Sequence, residues 1–302
     1  MKKKGFSLIE ILILTFIFLS VAILIFGVIS NSREFAKTMG CVNNLKNITQ
    51  AIENYQMDWQ ETPETLSLLM PTYIENPYIF QCPNERKKGD SYSKFYIARY
   101  VASEDTNKIF ILCPRHFGGK RIVTAYLSYS VEIGKKRDVK WSGINAEFGR
   151  TYSGGELIFE DGTIVTVIRG EVGILGSFME TDGKIYSLIY IPEGVNAACE
   201  VKHQGNSKFE VITPAVIAGV EGTKFNVENI WDENLKTDKT IVYVSEGVVN
   251  VRERSQGRLM TVNEKESITV ETKTYGTPKK NIIPRKPPKV KPHIIKFKKD
   301  NS

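Results

Sequence analysis

The sequence predicts an α+β protein in four parts: a long N-terminal helix that spans a membrane, a small α+β domain, an all-β domain, and a disordered basic tail. Three observations predict this. Ile11–Ile29 carries no charged residue. Apolar residues then recur every three or four positions as far as Trp59. From about Tyr152 the texture changes to short β-branched runs separated by glycine turns. The expected boundaries are a leader at 1–5, a transmembrane helix at 6–30, a small domain at 31–132, a β domain at 150–272 and a Pro/Lys tail at 273–302.

The first element sets the compartment. A run of about 20 apolar residues at 1.5 Å each is long enough to cross a bilayer as a helix. Lys2, Lys3 and Lys4 precede it, so the positive-inside rule keeps the N-terminus cytoplasmic and sends the body across. A secretory signal would have a shorter apolar core and a small-residue cleavage site after it. Here Ser30-Asn31-Ser32-Arg33 runs straight into another helical pattern, so the apolar run is expected to be kept. Glu10 is the odd residue, because a carboxylate costs roughly 2.5–3.5 kcal/mol at mid-membrane and less near the interface.

Gly5-Phe6-Ser7-Leu8-Ile9-Glu10, behind its lysines and ahead of its apolar run, resembles the processing motif of type IV prepilins and pseudopilins. The resemblance implies cleavage by a prepilin peptidase between Gly5 and Phe6 and N-methylation of Phe6. It further implies that Glu10 serves assembly by pairing with the N-terminal amine of a neighbouring pilin-like subunit. Ammonium and carboxylate attract strongly in a dry assembly, and either alone is penalised there. The implied location is the bacterial inner membrane, single-pass, with the body periplasmic or at the cell surface, in a type IV pilus or type II secretion-like system.

After the membrane run, Phe35, Met39, Val42, Leu45, Ile48, Ile52, Tyr55 and Trp59 form one apolar stripe. That is an amphipathic helix, ended by Glu61-Thr62-Pro63. With the membrane part it makes one helix of roughly 50 residues. The segments Phe80-Gln81-Cys82-Pro83, Ser91-Tyr92 and Cys113-Pro114-Arg115-His116 extend the pseudopilin resemblance loosely to about residue 132. Tyr126–Val131 lacks the Asp-Gly turn that often closes such domains.

Four cysteines, Cys41, Cys82, Cys113 and Cys199, are too few for a disulfide scaffold. Cys41, Cys82, Cys113 and His116 are zinc ligands by type, but no C-x-x-C pair exists. A Cys82–Cys113 disulfide, free buried thiols and a metal site all stay open. The disulfide is the expected state in an oxidising compartment, and no metal or cofactor is assigned.

In the second half, Ile164–Ile168 and Ile241–Val244 are β-branched runs, and Asp161-Gly162, Asp182-Gly183, Glu193-Gly194 and Glu246-Gly247 are turn signals. Many short strands at this spacing predict a sandwich, barrel or β-roll. Thr213-Pro214, then Gly219-Val220-Glu221-Gly222-Thr223-Lys224-Phe225-Asn226-Val227, and later Val244–Val251 resemble the signature of FecR-like domains. By period two, Val220, Phe225 and Val227 face inward and Lys224 and Asn226 outward. Gly219 and Gly222 permit bends or close backbone approach. Glu221 stands where that family usually has arginine, so no anion contact of that arginine carries over. FecR itself relays a signal to a sigma factor through a cytoplasmic N-terminal region. Only a short leader precedes the membrane run here, so the resemblance implies a reused β module rather than the relay.

The net charge of +7 is a property of the tail: nine basic residues against Asp300 over Gly276–Ser302 give +8 and leave the rest at −1. A Pro/Lys segment of this kind is extended and packs no core. A solvated tail is the expected reading and an anionic envelope polymer the alternative partner, and the charge distribution argues against nucleic acid. His116, His203 and His293 lie in three different regions, and no nucleophile, phosphate-loop or zinc-protease motif is present. An enzyme is not expected. The expected role is a pilin-like structural or interaction protein. The alternative is a FecR-like binding or sensing protein that uses the pilin export route without assembling into a filament.

Overall fold

The computed structural model describes residues 8–85, 89–97, 108–203, 205, 207–220, 222–255 and 257–272. Gly5, Phe6, Glu221 and the basic tail lie outside them. Helix α1 runs unbroken over Leu8–Trp59, 52 residues, or about 78 Å at 1.5 Å per residue. Its first half is exposed on all sides, from Leu8 to Ile29. It is long and apolar enough to cross a membrane. The second half buries a stripe through Thr38, Cys41, Leu45, Ile48, Ile52 and half-buried Tyr55. Phe35 and Trp59, expected in that stripe, are exposed instead. Thr38, Cys41 and Thr49 fill the inward positions that a count of apolar residues passes over. Beyond the helix, Trp59 Nε1 donates to the Tyr73 hydroxyl (3.1 Å), which donates to Asp58 (2.7 Å). These bonds fold the connection back along the last turn.

The rest is β structure in two sheets. In chain order the strands are β1 (Ile109–His116), β2 (Arg121–Tyr126), β3 (Val131–Lys136), β4 (Val139–Trp141), β5 (Ile144–Asn145) and β6 (Thr151–Ser153). Then come β7 (Glu156–Phe159), β8 (Ile164–Arg169), β9 (Glu171–Met179), β10 (Ile185–Tyr190), β11 (Ala197–Lys202) and β12 (Lys208–Ile212). The last six are β13 (Val216–Val220), β14 (Lys224–Asp232), β15 (Thr237–Glu246), β16 (Val249–Glu253), β17 (Leu259–Val262) and β18 (Ser267–Glu271).

Among the described residues, one sheet has ten strands, ordered β1-β2-β3-β9-β10-β12-β13-β16-β17, with β6 also on β9. The other has eight, ordered β18-β15-β14-β11-β8-β7-β4-β5. Only β10–β12 pairs in parallel among them. The larger sheet is continuous across the link at 132–150, because Lys135 and Lys136 of β3 pair with Met179 and Phe178 of β9.

Three apolar clusters follow. The two sheets enclose the largest, which includes Phe159, Val167, Phe209, Val211, Phe225 and Val251. Helix α1 packs on β1 and β2 through Leu45, Ile48, Ile111, Val123 and Ala125. The same two strands turn Leu112 and Ile122 to their other face, where they meet Leu175, Phe178 and Leu188. That double burial explains why β1 and β9 read as near-continuous apolar runs rather than alternating ones.

The segment from β12 to β16 forms corners between the sheets. β12 and β13 are a hairpin of the larger sheet, and the chain then crosses to β14 in the smaller one. Gly222 turns that corner at φ +70°. β15 returns to β16 through Gly247 at φ +84°. A side chain on Gly247 would stand 2.7 Å from Thr223 Cγ2, so the two corners touch. Val220, Phe225 and Val227 are buried in the inter-sheet core.

Candidate functional site

Four potential ligands converge where α1 meets the sheet. Cys41 lies on the buried stripe of α1. Beside it Gly40 lets Pro83 approach, since a Cβ there would lie 3.1 Å from Pro83 Cγ. Cys82 opens the next contact. The Asn44 amide donates to the Gln81 carbonyl (2.9 Å), which pins this loop to the helix. A turn then closes from Glu85 N–H to the Cys82 carbonyl (2.9 Å).

Cys113 and His116 come from β1. They are three residues apart, so period two would place them on opposite faces. The register slips by one between Cys113↔Val123 and His116↔Arg121. This bulge turns His116 to the helix side. All four side chains are fully buried, and their ligand atoms lie within 4.8 Å of one another.

For Cys82 and Cys113 the sequence leaves a disulfide, free thiols and a metal site open. Both are free thiols with Sγ atoms 3.5 Å apart, whereas a bond needs about 2.05 Å. A third thiol, Cys41, shares the pocket, so pairing two sulfurs would leave the third beside them. Three thiols in one dry cavity do not all ionise. Cys82 is held below the ordinary thiol range because its sulfur accepts from the Cys113 and Cys41 thiols, from His116 and from backbone Asn84. Cys41 is pushed up by its contacts with Cys113 and Cys82, and Cys113 by burial.

A shell of donors surrounds the cluster. The Tyr92 hydroxyl donates to Cys41 Sγ at 3.2 Å. The Arg115 guanidinium lies 3.8 Å from Cys113 Sγ, stacks 5.0 Å over Phe95 and is held by Glu85 at 2.6 Å. His116 has Nε2 3.6 Å from Cys82 Sγ, and Nδ1 3.3 Å from Thr38 Oγ1 and 3.4 Å from Asn84 Nδ2. Asn84 Nδ2 spends its two protons on Glu34 Oε2 (3.0 Å) and the Arg115 carbonyl (2.9 Å). Thr38 spends its own on the Glu34 carbonyl (2.8 Å). The Thr38 oxygen is left to accept from Nδ1–H in the tautomer whose Nε2 lone pair faces the sulfurs. The other tautomer sends Nε2–H to the Cys82 sulfur.

The sequence assigned no metal here, because its four candidate ligands come from a helix, a loop and a bulged strand. The signal available was residue type alone. Other predicted site residues lie apart from this cluster. Glu10 sits in the first turn of α1 on the exposed apolar half. Thr213, Pro214, Gly219, Val220, Gly222, Thr223, Phe225 and Val227 trace the β12–β14 hairpin and corner.

Thr213 also heads a buried network that sequence reasoning missed. Its hydroxyl accepts from Val216 N–H (3.0 Å) and meets Thr240 Oγ1 at 2.8 Å. Thr240 donates to Asn229 Oδ1 at 2.9 Å. Asn229 Nδ2 donates to Asp238 (2.7 Å) and to the Val195 carbonyl (3.0 Å). His203 is buried beside the sheet interface. Its Nε2–H donates to the Ser207 carbonyl at 2.8 Å, and its Nδ1 meets Thr163 Oγ1 at 2.7 Å.

A shallow groove of about 380 Å³ lies on the outer face of β12 and β13, lined by Lys108, Lys208, Glu210, Gly219, Asn250 and Arg252. Ion pairs cross or flank it, Lys108–Glu210 at 2.9 Å and Lys208–Glu180 at 2.8 Å.

No family model matches the chain, and no curated protein shows significant similarity to it. Two crystal structures of a candidate anti-sigma factor from Parabacteroides distasonis align with 20% identity, at TM-scores of 0.33 and 0.32. Each alignment covers 42% of this chain and 57% of that one, so the chain spans little more than half of its neighbour's length. A superposition this loose does not establish a shared fold.

Proposed function

We propose that the chain is a membrane-anchored, pilin-like structural or interaction protein that displays its β-rich body outside the cytoplasm. The observation that carries this reading is the division of labour within one unbroken helix. The first half of α1 is apolar and exposed all round, and the second half is amphipathic and docked on the body. Membrane insertion and body attachment therefore share one rigid rod. Glu10 lies near the outset of the apolar half, the position where the prepilin resemblance gives it an assembly role. Its partner there is the processed amine of Phe6 on a neighbouring pilin-like subunit.

Mass spectrometry of the mature chain tests this. The expected N-terminus is a methylated Phe6, produced by a prepilin peptidase. A chain that keeps Met1 in a host with that peptidase overturns the reading. Glu10→Ala should be processed normally yet fail to enter a filament.

A second reading gives the chain a binding or sensing role as a membrane monomer. The extent of the β body favours it, since ten- and eight-stranded sheets dwarf the part that packs on α1. Shearing the cell surface separates the readings. Filament protein is released, and a membrane monomer stays with the membrane. We assign the chain no catalysis; on either reading α1 meets the inner membrane and the basic tail is the part suited to an anionic envelope polymer.

A further inference from the structure

We propose that Cys41, Cys82, Cys113 and His116 form a closed tetrahedral site for one zinc ion, which fastens the membrane helix to the β body. The first support is geometric. Tetrahedral zinc at about 2.3 Å from sulfur and 2.0–2.1 Å from nitrogen sets S···S edges near 3.8 Å and S···N edges near 3.6 Å. Cys82 and Cys113 are 3.5 Å apart, and Cys82 is 3.6 Å from His116 Nε2. The pocket is thus already close to the dimensions of the complex.

The second support is orientation. Metal-bound histidine usually donates its other ring N–H to a fixed acceptor. Here Thr38 is placed as that acceptor, because its own proton goes to the Glu34 carbonyl and its oxygen lies 3.3 Å from His116 Nδ1. The third is charge. Zinc with three thiolates and a neutral imidazole carries a net charge of about −1. Arg115 beside Cys113 and the Tyr92 hydroxyl on Cys41 are placed to absorb it.

Three sulfurs and one imidazole suit zinc rather than magnesium or calcium, which take oxygen ligands. Four protein ligands leave no open coordination position, and their complete burial bars substrate. The site is therefore structural. Cys41 belongs to α1, Cys82 to the following loop, and Cys113 and His116 to β1. The ion would close a clamp across helix, loop and sheet. Bound thiolates also resist the oxidation that free thiols would meet outside the cytoplasm. The inference is independent of filament assembly, since a filament subunit and a membrane monomer need the same clamp.

The test uses the full chain, purified in detergent without a metal column. Elemental analysis and native mass spectrometry should find one zinc per chain. Exchange for Co(II) should give the intense visible bands of a tetrahedral thiolate complex. Cys82→Ser should lower bound zinc about tenfold or more, and Thr38→Val should weaken binding roughly 10–100-fold through the imidazole alone. His116→Cys keeps a fourth soft ligand and should retain one zinc, which separates ligand loss from misfolding. Cys199→Ser, a buried thiol of the other core, should also retain it. A folded chain with no stoichiometric zinc overturns the proposal. So does iron in place of zinc, or a disulfide among the three cysteines in non-reducing peptide maps.

Discussion

The larger sheet is held from two sides by different means. Against the second sheet it buries a broad field of valines and phenylalanines. Against α1 it buries one helical stripe, where Cys41 meets Cys82, Cys113 and His116 of the loop and sheet near Leu45 and Ile48. The first core spreads its stabilisation over many interchangeable aliphatic positions. The second concentrates it in a few side chains of particular chemistry. A single helix offers only a narrow apolar face, so its attachment depends more on each residue. It also carries the mechanical link to the exposed apolar half of α1.

The largest expected effect is in the sandwich. Phe209 is fully buried and packs edge-on to Phe159 at 5.3 Å between ring centroids. Phe209→Ala should lower stability by about 3–5 kcal/mol in urea unfolding, with an unchanged denaturant slope. Leu45→Ala should cost about 2–5 kcal/mol, but at a different place. Hydrogen exchange should show lost protection in the second half of α1 and in β1 and β2, while β14 and β15 keep theirs. Equal loss in both regions would make the two cores one cooperative unit, and the contrast would fail.

Polar burial gives a smaller effect. Thr240 links Thr213 to Asn229 inside the structure, away from solvent. Thr240→Val keeps the shape and strands the Asn229 oxygen, while the Thr213 hydroxyl keeps only its bonds to Val216. The expected loss is about 1–3 kcal/mol, read by the same unfolding experiment. Thr213→Val in the Thr240→Val background should add less than it costs alone, because both break one chain of bonds.

What was legible in the sequence divides along the same line. The 52-residue helix was visible because length, charge and periodicity are local properties. So were the β-branched runs at β8 and β15, and the corner glycine, Gly222, because turn chemistry is local as well. The stripe was misjudged at Phe35 and Trp59, since periodicity ranks residues by hydrophobicity. The inward positions went to Thr38 and Cys41, which the pocket needs for their polar atoms. The pairing of β3 with β9 joins distant segments and left no trace in composition. The Cys/His cluster was hidden for a further reason. His116 reaches it only through a bulge in β1, and a bulge reverses the face that alternation assigns.

The smallest effect should come from the surface. Arg169 of β8 and Glu228 of β14 both lie opposite Ala198 of the strand between them. The alanine leaves room for the two side chains to meet across it, Nη2 to Oε1 at 2.6 Å. The contact is short, yet the side chains are 55% and 39% exposed. Water and salt screen such a pair, and ordering two long side chains offsets much of the attraction. A double-mutant cycle with Arg169→Ala and Glu228→Ala should give a coupling of about 0.2–1 kcal/mol, falling as salt rises. A coupling near that of the buried Thr213–Thr240 pair would mean that geometry, rather than burial, sets the value of polar contacts in this sandwich. The distinction between its wet faces and its dry cores would then lose its energetic basis.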